Sequence, residues 1–132
     1  MDANRKILLE MLTSKVHKYA QTGHPRKKLI RDYSKAERHY IKTETIRNEA
    51  GRGWAEWEED DILNGTGARG CWEKADDAWK EASRTLYQAS RTLWRDADRA
   101  GKKEIADAIY EADCNLGEYD TADTLLEHKP YK

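Results

Sequence analysis

A chain of 132 residues is long enough to bury one core without disulfides or metals, and Cys71 and Cys114, with no CxxC or CxxH spacing, exclude a disulfide scaffold and point to a reducing compartment. No apolar run approaches membrane-spanning length, and charge interrupts residues 1–10 before a signal-peptide apolar region can form, so a soluble, cytoplasmic protein with no membrane partner is expected. The net charge of −1 conceals opposite halves: residues 1–53 carry 13 basic and 6 acidic groups, giving +7, and residues 54–132 carry 11 basic and 19 acidic groups, giving −8.

Asp2 is placed to cap a first helix, in which Leu8, Leu9, Leu12, Val16, Tyr19 and Ala20 recur at helical spacing. Thr22-Gly23-His24-Pro25 ends it, because glycine supplies a left-handed stop and proline opens the next helix. That second helix, from about Pro25, aligns Leu29, Ile30, Tyr33, Ala36, Tyr40 and Ile41 on one side. Lys27, Lys28, Arg31, Lys35, Arg38 and Lys42 project from the other, making it a basic amphipathic helix. Residues 40–57 read two ways. The β-branched alternation Ile41-Lys42-Thr43-Glu44-Thr45-Ile46 suits a strand, and a turn at Asn48-Glu49-Ala50-Gly51 would make a small hairpin. Trp54 and Trp57, three apart, favour helix.

The acidic run Glu58-Glu59-Asp60-Asp61 leads into a Gly-rich loop, residues 64–70. A third helix follows, organised by a direct repeat: Ala82-Ser83-Arg84-Thr85-Leu86-Tyr87-Gln88 and then Ala89-Ser90-Arg91-Thr92-Leu93-Trp94-Arg95. Trp72, Ala75, Trp79, Ala82, Leu86, Ala89, Leu93 and Ala100 form one seam at alternating three- and four-residue steps, and Asp96 interrupts it where the next Ala is due. Gly101 ends this helix. A fourth aligns Ile105, Ile109, Ala112 and Leu116, Gly117 breaks or kinks it, and Asp120 or Thr121 caps a last short helix. The expected fold is all-α, a single-domain bundle of four to five helices with a possible hairpin within 40–57.

Chemistry-bearing patterns are weak. Gly65-Thr66-Gly67-Ala68-Arg69-Gly70 matches GxGxxG, but an acidic stretch stands where a dinucleotide fold needs a strand, so a flexible loop is the better reading and no cofactor is expected. The four histidines lack HxxxH or HExxH spacing, and Glu73/Asp77/Glu81 and Glu104/Asp107/Glu111 read as solvated acidic stripes, so no metal is expected. No nucleophile stands in a recognisable triad signature, and Cys71, near a helix start, reads as a structural thiol, so no catalytic residue is assigned.

Two surfaces carry functional content. On the repeat helix, Arg84, Tyr87, Arg91, Trp94 and Arg95 combine arginine with large rings, the composition of interface hot spots; the competing reading is that Tyr87 and Trp94 widen the core face. The leading expectation is therefore a non-enzymatic protein-binding module with another protein as partner, in particular a small phage-type inhibitor of a host defence system, such as an anti-CRISPR protein, on grounds of size and charge habit. A homodimer through the Ala-rich seam is a further option. The alternative is a small nucleic-acid-binding protein using Lys27, Lys28, Arg31, Lys35, Arg38 and Lys42 against phosphates, with an acidic partner or the chain's own acidic half as competing targets.

Overall fold

The computed structural model describes the backbone of residues 2–64 and 68–127, and the side chains of residues 2–50 and 72–122. Four helices follow one another: α1 (Ala3–Gln21), α2 (Lys27–Asn64), α3 (Ala68–Arg99) and α4 (Lys103–Glu127). No strand occurs among the described residues. The chain forms two compact units, one from Ser34–Leu86 and one from Asp2–Tyr33 with the chain from Tyr87 onward.

In the unit built on Ser34–Leu86, α2 and α3 pair antiparallel. Arg47 meets Asp76 and Tyr40 meets Trp79, so moving back along α2 moves forward along α3. The α3 seam behaves as its spacing predicts, with Ala75, Trp79, Ala82 and Leu86 buried. A helix pair with so many alanines has little apolar volume to offer, and the remaining interior is polar: Thr43, Glu44, Arg47, Asp76 and Ser83 are all buried.

The hairpin expected as an option within 40–57 does not form, because helix runs unbroken from Lys27 to Asn64. The threonines that suggested a strand satisfy their hydroxyls within the helix: Thr43 Oγ1 donates to the His39 carbonyl at 2.8 Å and Thr45 Oγ1 to the Ile41 carbonyl at 2.9 Å. Ile41, placed by its spacing on the apolar side, is instead exposed. It lies at the edge of that stripe by the helical period. The loop is also shorter than residues 64–70, since Asn64 ends α2 and Ala68-Arg69-Gly70 begin α3. Gly65, Thr66 and Gly67 lie outside the described residues, as do the side chains of Trp54, Trp57, the acidic run and Cys71.

The other unit is a helical bundle in which α1 packs along α4. Asp2 caps α1 as expected, its carboxylate accepting from the Asn4 N–H at 2.9 Å, and Gly23 takes the left-handed conformation (φ 70°) that ends the turn. Leu9, Leu12, Val16 and Tyr19 from α1, Leu93 and Ala97 from α3, and Ala106, Ile109, Ala112 and Leu116 from α4 make the core. Asp96, which interrupts the seam, accepts a hydrogen bond from the buried Tyr19 hydroxyl at 2.5 Å, and Ala97 takes up the apolar register one residue later.

Gly101 (φ 78°) separates α3 from α4. Gly117, expected to break or kink α4, does not break it, and α4 continues to Glu127, so no fifth helix occurs among the described residues. The two residues proposed as caps have other partners. Thr121 Oγ1 donates back to the Gly117 carbonyl at 2.9 Å, and Asp120 faces inward to a buried arginine. A carboxylate held by a guanidinium is not free to cap a helix.

Candidate functional site

Two polar networks lie inside the units, and both are built on one motif. Arg5, 1% exposed, donates from Nε to Asp120 Oδ1 at 2.8 Å and sits 5.5 Å from the centre of the Tyr119 ring. Tyr87 donates its hydroxyl to the second oxygen of Asp120, and Tyr119 donates to Asp2. Burial works to raise the pKa of Asp2, but the Tyr119 hydroxyl and the Asn4 and Arg5 backbone N–H groups hold it below the ordinary carboxylate value. Arg47, also 1% exposed, donates from Nε to Asp76 Oδ1 at 2.7 Å and lies 4.4 Å over the Trp79 ring, while Lys80 reaches the other Asp76 oxygen at 2.8 Å. Beside it the buried Glu44 accepts from Asn48 Nδ2 at 2.6 Å. Each buried arginine directs Nε at a carboxylate, the pairing that low-dielectric burial favours.

A half-buried carboxylate outside these networks differs. Asp113 accepts from Ser90 Oγ at 2.6 Å, but burial raises its pKa despite that hydrogen bond and the nearby Arg91 cation. Among the described residues, no group of three His, Cys, Asp or Glu is placed to hold a metal ion. The stripes Glu73/Asp77/Glu81 and Glu104/Asp107/Glu111 are exposed throughout.

The surface features divide more sharply than their sequence spacing suggested. Arg84, Arg91 and Arg95 are exposed, whereas Tyr87 and Trp94 are half-buried. Tyr87 is tied by its hydroxyl to Asp120 and so serves the packing of α3 on α4. Arg84 lies in the Ser34–Leu86 unit, and Arg91, Trp94 and Arg95 in the other. Trp94 meets Tyr110 of α4 edge to face, with ring centres 5.3 Å apart and planes at 77°. Tyr110 is 52% exposed, and the Arg95 guanidinium lies 5.5 Å from the Trp94 ring centre. Sequence reasoning missed Tyr110. Its spacing on α4, one residue beyond the buried Ile109, marks a flank position, but nothing in the α4 sequence shows that the flank abuts Trp94.

All six cations of the basic stripe, Lys27, Lys28, Arg31, Lys35, Arg38 and Lys42, are exposed along α2. Tyr33 and Tyr40 are buried on the opposite side of the helix, as the period requires.

Compared with protein families, curated proteins and solved structures, the chain matches none.

Proposed function

We propose that this protein is a non-enzymatic protein-binding module whose contact surface is centred on Trp94 and Tyr110 and rimmed by Arg91 and Arg95. The observation that carries the reading is the half-exposed Tyr110 ring standing on the Trp94 edge beside an arginine. Large rigid rings next to a guanidinium lose little side-chain entropy on docking and bury much area, which is why such groups dominate binding energy at interfaces. Both rings are braced from within, since α3 and α4 are locked by the Ser90–Asp113 and Tyr87–Asp120 hydrogen bonds. A braced surface presents its contacts preformed.

Within this class, a small stoichiometric inhibitor of the phage type, such as an anti-CRISPR protein acting in the cytoplasm, accords with 132 residues and segregated charge. The module then works by occupying a partner's surface, and its effect saturates at a one-to-one ratio. Affinity capture from the native host with mass spectrometry tests the reading. The expected result is one protein at near-stoichiometric yield, with Tyr110→Ala or Trp94→Ala weakening capture about 30-fold, corresponding to about 2 kcal/mol for a hot-spot residue. Recovery of no protein, or equal capture by both variants, overturns it.

A further inference from the structure

The basic face of α2 carries chemistry of its own, which goes beyond the protein-binding reading. At about 100° per residue, Lys27, Lys28, Arg31, Lys35, Arg38 and Lys42 fall within an arc of about 100°, and at about 1.5 Å rise per residue they extend over about 22 Å. Thr45 and Glu49 follow on the same arc, so the cationic stripe ends at Lys42. Within the stripe itself no carboxylate intervenes; Asp32 lies at its border.

We infer that this face binds the phosphate backbone of double-stranded nucleic acid, without reading its sequence. Charge complementarity selects the ligand. A duplex presents one negative charge per about 1.7 Å of axis, so about 22 Å of it offers roughly 13 phosphates to six cations. The side chains are long, flexible and exposed, able to follow a phosphate row on either side of a groove. Single strands are a poorer match, because proteins that hold them without sequence preference stack bases on aromatic rings. The aromatic residues of this part of α2, Tyr33 and Tyr40, are buried on the far side. Contacts to phosphates alone carry no sequence information.

Fluorescence anisotropy tests the inference with the full chain, a labelled 20-base-pair DNA duplex, its RNA counterpart and one of its single strands, over a salt series beginning at low ionic strength. Binding to both duplexes, tighter than to the single strand and indifferent to sequence, is expected, with log affinity falling linearly against log salt. Lys35→Gln with Arg38→Gln and Lys42→Gln should lower the slope on DNA by about 2.7, at about 0.9 per lost phosphate contact. Arg91→Ala with Arg95→Ala should leave it unchanged, so failure here is separable from failure of the α3 surface. Circular dichroism and urea midpoints verify that both variants remain folded. No binding at low salt, an unchanged slope in the α2 variant, tighter binding to the single strand, or displacement of duplex by an equal charge concentration of polyglutamate each overturns the assignment.

Discussion

Arg5 and Arg47 are the two most demanding residues in the molecule. Each is removed from water, directs Nε at an aspartate and lies against an aromatic ring that accepts its cationic face. The cost of a buried cation is offset only while its carboxylate is present. Asp120→Ala is therefore expected to lower unfolding free energy in urea by about 3–5 kcal/mol, whereas Arg5→Met combined with Asp120→Leu should recover most of that loss. Asp113 behaves in the opposite sense. Its folded-state pKa lies above the unfolded value of 3.8, so its contribution is fully present below that pH and is lost as pH rises through the raised value. Asp113→Asn should then raise stability at pH 7, with the gain vanishing below about pH 3.8, as thermal melts across pH will show. None of these roles was legible in the sequence. Arg5 sits among charged neighbours in a first helical turn, and its partner is 115 residues away. Solvation of a side chain is a tertiary property with no local signature.

At the level of the helices, local sequence and structure agree wherever period alone decides. The faces of α1, α3 and the first part of α4 are those that 3.6-residue spacing dictates. Disagreement arises at residues with two competing uses. Asp120 and Thr121 have the chemistry of caps, but Asp120 finds a guanidinium and Thr121 a carbonyl one turn back. The two glycines read as breaks differ in the same way. Gly101 holds a left-handed φ that side chains resist, whereas a Cβ at Gly117 meets nothing within 4 Å. Gly101→Ala should destabilise by about 1–2 kcal/mol and Gly117→Ala should stabilise by about 0.5–1 kcal/mol, both read from urea midpoints. Glycine identity did not separate stop from continuation; backbone conformation did.

For the molecule as a whole, six cations of the basic half stand exposed on one face of α2. The α2 stripe was fully legible in the sequence, since one helix carries all of it and the period fixes its face. The α3 surface was half legible: Trp94 and its arginines come from the repeat, but Tyr110 joins them from α4, and pairing between helices is not written in either one. Because these side chains stand outside the core, binding and folding should be separable. The triple glutamine variant on α2 and the double alanine variant at Arg91 and Arg95 are each expected to retain the wild-type urea midpoint, at about 0.5 kcal/mol or less per substitution. A large loss of stability would mean that these cations also support the fold.

The absence of phenylalanine has a consequence for how the helices find one another. Where a phenyl ring would slide along a greasy seam at little cost, four tyrosines bring hydroxyls that each fit one place: Tyr19 to Asp96, Tyr33 to Thr13, Tyr87 to Asp120, Tyr119 to Asp2. These four act as keys cut for separate wards. Shifting α1 or α4 by a single turn would separate these part-buried hydroxyls from their partners, so misaligned packings are penalised several times over. Changing all four to phenylalanine would preserve the oil and discard the keys, leaving a protein that is still helical but samples more than one alignment.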